Sequence, residues 1–190
     1  MALVVFLRGV NVGGHRSFRP SLVAKALSRF DVVNIGAAGT FVVRKPGTQA
    51  RFREALLAKL PFEAHVALCD GRDVLALVRE HTFGPEPPRP GITRFVSVLS
   101  KSSRLRPTLP ATLPPTGEWF VRVVGSTRRF VFGEYKRHMK TITWLGKIDH
   151  LFGVPVTTRN WRTIEEIVRV LQSSKANAIG ERPRSRAVSA

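Results

Sequence analysis

Two short segments at opposite ends of the chain gather the residues best suited to bind something. Near the start, Arg8-Gly9-Val10-Asn11-Val12-Gly13-Gly14 follows an apolar run and precedes a helix signal. Glycines at 9, 13 and 14 can expose backbone N–H groups, and Arg8, His15 and Arg16 bracket them, so a small anion fits there. Near the end, Arg159 and Asn160 stand where a strand turns into a helix. Packing alone rarely demands a guanidinium and an amide beside a helix start. If the two ends meet, Arg8, Asn11, Gly13, Gly14, Arg159 and Asn160 form one ligand-binding site. The plainer account stands beside it: the glycines only permit the turn's dihedrals, Asn160 caps the last helix, and Arg159 pairs locally. A separation of Arg8 and Arg159 beyond about 15 Å would exclude a shared site, since an arginine reaches about half that.

Other chemistries find less support. Gly9, Asn11 and Gly14 fall on G-x-G-x-x-G spacing, but Asn11 replaces the glycine that lets the backbone approach a pyrophosphate, and no carboxylate ends the second strand at Ile35-Gly36. The five histidines and Cys69 show no zinc spacing, and no acidic cluster suits a hard metal, so no cofactor is expected. No nucleophile–base set or G-x-S-x-G elbow is readable. A non-catalytic binder is therefore the expected class, with an enzyme acting on a small phosphorylated or carboxylated molecule as an alternative. Phe6 and Phe41 stand roughly where RNA-recognition domains keep stacking aromatics, yet both strands are apolar on both faces, which favours core packing. Arg122, Arg128, Arg129, Lys136, Arg137 and Lys140, interleaved with Phe130, Phe132 and Tyr135, could instead track a phosphate backbone; a solvated basic face is the plainer account.

Lysine plus arginine number 31 against 13 acidic residues, a net charge of +18. Such a balance attracts polyanions, although the excess of arginine with abundant alanine, valine and proline also follows from a GC-rich genome. The tail from Lys175 holds four basic residues and Glu181, so most of the charge belongs to the body. One cysteine excludes an internal disulfide and fits a reducing compartment. With no apolar run of bilayer length and no leader pattern at residues 1–7, a cytoplasmic protein with no membrane partner is expected.

The elements that must position these residues follow from periodicity. Residues 2–7 read as a strand buried on both faces. Pro20 opens a helix with Leu22, Val23, Ala26 and Leu27 at helical spacing. Residues 32–35 and 40–43 are strands joined by Gly36-Ala37-Ala38-Gly39, too short for a parallel crossover, hence an antiparallel hairpin. A helix over 50–60, a strand over 64–69 and a helix over 74–81, capped by Asp70, follow. A proline-rich break at 85–91 precedes a second set: a strand over 93–99, a proline-laden stretch over 102–116 in place of a first helix, a hairpin from 119–124 and 129–133, a helix over 143–152 and a strand over 154–158. The last helix is expected to begin at Thr163-Ile164-Glu165-Glu166, which matches a capping box.

That order reads twice as β-α-β-β-α-β. The expected fold is α+β: two ferredoxin-like (split βαβ) repeats packed into one compact unit. The first occupies residues 1–83 with a connecting helix, the second 92–172 with a terminal helix, and residues 173–190 form a mobile basic tail.

Three segments carry a resemblance. Residues 7–14, residues 34–43 (Asn-Ile-Gly-Ala-Ala-Gly-Thr-Phe-Val-Val) and residues 156–163 (Val-Thr-Thr-Arg-Asn-Trp-Arg-Thr) resemble, in order, the motifs of a largely bacterial family, domain of unknown function 1697. The resemblance spans roughly residues 2–172 and implies paired ferredoxin-like repeats. The family's middle motif more usually reads Ser-Gly-Asn before its strand; here Ala38-Gly39-Thr40 replaces it and loses a hydroxyl and an amide. The resemblance implies a fold more than an activity, leaving a small anion and a nucleic acid as the two candidate partners.

Overall fold

The computed structural model describes residues 1–11, 18–80, 83–84 and 86–180, without the side chains of 174–180. The chain is a mixed α/β protein with two antiparallel sheets. The first is built from β1 (Leu3–Leu7), β2 (Val32–Ile35), β3 (Thr40–Val43) and β4 (Val66–Asp70), in the order β2-β3-β1-β4. The second comprises β5 (Ile92–Leu99), β6 (Ala111–Leu113), β7 (Val121–Ser126), β8 (Phe130–Lys136) and β9 (Val156–Asn160), in the order β6-β7-β8-β5-β9. Every adjacent pair is antiparallel. The β2–β3 hairpin is as expected from its four-residue connection, and its pairing with β1 leaves no room for a dinucleotide-binding βαβ unit.

β1 explains the apolar run at the start of the chain. It lies inside its sheet, and alternation sends Val4 and Phe6 to one face and Val5 and Leu7 to the other. Val5 and Leu7 meet α1 (Pro20–Ala26) and α2 (Gln49–Leu57) through Val23, Leu27, Phe52 and Leu56. Val4 and Phe6 enter a core shared by both halves, with Val96 and Val98 of β5, Phe130 of β8, and Ile164, Ile167 and Leu171 of the last helix. α3 (Gly71–Arg79) adds Val74 and Leu77 to it. The far face of the second sheet is closed by Ile148 and Phe152, around Phe95, Leu99, Val121 and Val131. Phe6 and Phe41 are both fully buried and belong to different cores, so they form no shared stacking platform.

Several boundaries depart from expectation. The strand expected over 64–69 is β4, two residues later at its start, and the helix expected over 74–81 begins at Gly71. Asp70 does cap that helix, its Oδ1 accepting the Arg72 N–H at 2.9 Å, and this early cap moves the start forward. The helix expected over 143–152 is two short ones, α4 (Thr141–Gly146) and α5 (Ile148–Phe152). The stretch over 102–116 holds no helix but does contribute β6, an edge strand between prolines. β9 runs two residues past the expected 158. The last helix, α6 (Trp161–Gly180), starts at Trp161 rather than Thr163 and extends into the supposed tail. Its cap is Asn160, whose Oδ1 accepts both the Thr163 N–H and the Thr163 hydroxyl at 2.9 Å, so Thr163 lies inside the first turn.

Candidate functional site

The two ends of the chain do meet, and Arg159 is where they do so. It projects from β9 into the seam between the sheets and is 9% exposed. Its Nε donates to Thr40 Oγ1 at 2.7 Å, Nη2 donates to Leu7 O at 2.8 Å and Ala38 O at 2.6 Å, and Nη1 donates to Thr158 O at 2.8 Å. The three resembling segments thus converge on one guanidinium. Its acceptors are all neutral, and burial pulls its pKa down to about 10, which leaves it protonated at neutral pH. The Thr40 hydroxyl supplies the side-chain acceptor of the set. Gly39 permits the approach: its φ is +66°, and a Cβ there would meet Leu7 Cβ at 2.9 Å and Val10 Cγ2 at 2.8 Å.

The other residues of the expected site are placed differently. Asn11 has a φ of +54° and closes its own loop: its Nδ2 donates to Phe18 O and Ala37 O, and its Oδ1 accepts the Phe18 N–H. Asn160 is committed to the α6 cap. Gly13 and Gly14, with His15 and Arg16, lie outside the described residues. Arg8 pairs with Asp149 of α5 at 2.5 Å. Asp149 Oδ1 also accepts the Val156 N–H, so this carboxylate anchors the start of β9 as well.

Arg8 instead helps line a cleft of about 400 Å³ between the halves. Arg53 of α2, His65, Ser100, Lys101 and Thr157 share it. The geometry follows from strand register. Leu7 pairs with Val66 and Leu99 pairs with Val156, so the end of β1 lies beside the start of β4, and the end of β5 beside the start of β9. Each pair therefore delivers the residues just beyond its ends to the same seam. Three permanent cations and an imidazole converge there with two hydroxyls, and no lining residue carries a carboxylate. Such a set can hold a phosphate or carboxylate group by charge-assisted hydrogen bonds. Sequence reasoning found Arg8 and missed Arg53, His65 and Lys101. The available signal was positional: Arg8 directly follows β1, His65 directly precedes β4, and Lys101 lies two residues beyond the end of β5.

The six cations of the basic stretch do not make one patch. Arg122 pairs with Glu134 at 2.6 Å, and Lys136 with Glu118 at 2.9 Å; both also lie against the Trp119 ring. Arg137 Nε donates to Thr93 Oγ1, and the Lys140 ammonium stands over Phe120. Arg128 and Arg129 sit at the far end of the β7–β8 hairpin, seven residues or roughly 23 Å along the strand from Lys136. Arg129 reaches inward, its Nη2 donating to Leu68 O on the edge of β4 at 2.6 Å. Cys69, beside that contact, is buried, and burial pushes its thiol up to about 12, as a structural rather than a reactive cysteine requires. Among the described residues no cluster of histidine, cysteine and acidic groups could hold a metal ion, and no helix is long and apolar enough to cross a membrane.

The fold and this seam define a class: a two-sheet α/β protein with a cationic cleft where its halves join. No protein-family model matches the chain. No curated protein matches it. Among solved structures it is similar to the conserved bacterial protein SP0830 from Streptococcus pneumoniae, with a TM-score of 0.54 and 14% identity, over 90% of this chain and 98% of that one. At that identity the likeness establishes the fold.

Proposed function

We propose that this chain is a non-catalytic binder of a small anion, with its site in the cleft of Arg8, Arg53, His65 and Lys101. The observation that carries the reading is the composition of that cleft: cations and hydroxyls from both halves, with no lining carboxylate. Asp149, which is not among the lining residues, holds Arg8 through a single Nη2–Oδ2 hydrogen bond. The volume suits a small phosphorylated or carboxylated molecule better than a polymer. The reading includes membership of the domain of unknown function 1697 family, supported by the convergence of the three resembling segments on Arg159. It also includes descent of both halves from one split βαβ plan. In each half the first, third and second of the four shared strands lie in the order 1-3-2, with the fourth beside the first and β6 added at one edge.

Calorimetric titration with inorganic phosphate, citrate and a random oligonucleotide tests it. Phosphate or citrate is expected to bind, and the Arg53→Gln/Lys101→Gln double variant to weaken binding at least about tenfold. Binding of the oligonucleotide alone, with affinity falling steeply as salt rises, would transfer the function to the basic surface. Absence of binding by any of the three would overturn the reading.

A further inference from the structure

A second cleft, of about 420 Å³, lies between α3 and the tip of the β7–β8 hairpin, and its charges are segregated by wall. On one side Asp73, Ala76, Leu77 and Glu80 stand at i, i+3, i+4 and i+7, which makes them one stripe of the helix. Seven residues of helix set the two carboxylates roughly 10 Å apart along the axis. On the other side are Arg128 and Arg129, with Ser102 and Thr127 beside them. Leu77 and Phe130 give the space between an apolar floor.

Opposite charges on facing walls would ordinarily pair directly. Here, among the described residues, neither Asp73 nor Glu80 forms an ion pair. The guanidiniums are differently committed. Arg129 spends its Nη2 on Leu68 O, and its buried Nε has no hydrogen-bond partner among the described residues. Arg128 Nε donates to Ser102 Oγ at 3.2 Å, which steadies the group, and among the described residues its two terminal nitrogens have no hydrogen-bond partner. The cleft thus offers two separated carboxylates, one guanidinium fork facing them, and an apolar strip between.

We infer that this cleft binds a basic α-amino acid. Its carboxylate would sit on Arg128, its α-ammonium and side-chain cation on the two carboxylates of α3, and its methylene chain over Leu77 and Phe130. A simple anion meets the wrong sign on the α3 wall, and a diamine leaves Arg128 facing a cation. A neutral amino acid fills only one carboxylate. A ligand with one anionic and two cationic ends, joined by an apolar chain, matches the set.

L-lysine is the probe, titrated into the full chain by calorimetry, with norleucine and cadaverine as comparators lacking the ε-ammonium and the carboxylate. Lysine is expected to bind at least about tenfold more tightly than either, the size expected for one lost charge-assisted contact. Asp73→Asn and Glu80→Gln should each weaken lysine about tenfold, whereas Arg128→Gln should remove the preference for lysine over cadaverine. The comparison of ligands on the unmodified chain needs no variant to fold. Equal binding of norleucine, no heat with millimolar lysine, or lysine affinity indifferent to Asp73→Asn and Glu80→Gln would each overturn the inference.

Discussion

Removing a guanidinium from water without a carboxylate partner costs several kcal/mol, and Arg159 offsets that cost only because its planar fork finds four acceptors at once. Each acceptor comes from a place the fold dictates: a strand end at Leu7, a hairpin turn at Ala38 and Thr40, and its own strand at Thr158. Lysine cannot reproduce this, having one nitrogen in place of three. Arg159→Lys should therefore strand two or more buried acceptors and cost about 2–4 kcal/mol. The expected reading is a lower urea midpoint at unchanged slope. An unchanged midpoint would show that Arg159 is not holding the halves together. From sequence, Arg159 and Asn160 looked like partners because they are neighbours. Along a strand, adjacent side chains leave opposite faces, so one is buried in the seam while the other turns out to cap α6.

At the level of the element, glycines separate what is packing from what is permissive. Gly133 of β8 faces Val123 of β7 beside a bulge, and a Cβ there would overlap the Arg122 carbonyl oxygen, which backbone cannot yield cheaply. Gly146, at the end of α4, has open space around the same position and an ordinary φ. Alanine at the two sites should act oppositely. Gly133→Ala is expected to destabilise by about 3 kcal/mol through overpacking, and Gly146→Ala to stabilise by roughly 0.5–1 kcal/mol through helix propensity. Thermal melting of both variants checks the signs, and a neutral Gly133→Ala would mean the hairpin's register shifts to make room. Hairpins were the legible elements here, since a four-residue connection between strands leaves one topology. β6 was not legible: three residues between prolines carry too little pattern to read as a strand. The α6 boundary was misread because Thr163-Ile164-Glu165-Glu166 satisfies the capping-box pattern, while the actual cap, Asn160, bonds Thr163 three residues on.

At the scale of the whole molecule, three arginines among the described residues tie one half to the other through buried or part-buried hydrogen bonds: Arg8 to Asp149, Arg129 to Leu68 O, and Arg159 to Leu7 O, Ala38 O and Thr40 Oγ1. Two of these three are held by neutral groups of the opposite half, so part of the +18 charge needs no acidic counterpart and no external polyanion to explain it. That is why composition pointed toward nucleic acid more strongly than the geometry does. The candidate cleft stayed half hidden for a related reason, since Arg53 and Lys101 come from different halves and meet only once both sheets are registered. The same interdependence governs folding. Val4, Phe6, Val42 and Cys69 lie against Val96, Val98 and Phe130, and Ile164, Ile167 and Leu171 of α6 complete that core. A fragment of residues 1–90 would bare the inner face of its sheet and lose the arginines that seal its edge. Burying each such large side chain is worth about 1.5–3 kcal/mol, so losing several exceeds the margin of an ordinary domain. Expressed alone, that fragment should give poor amide dispersion by NMR and no cooperative urea transition; mixed with residues 91–190, both should return. A fragment 1–90 that unfolds sigmoidally by itself would mean that the shared core decorates two independent folds instead of making one.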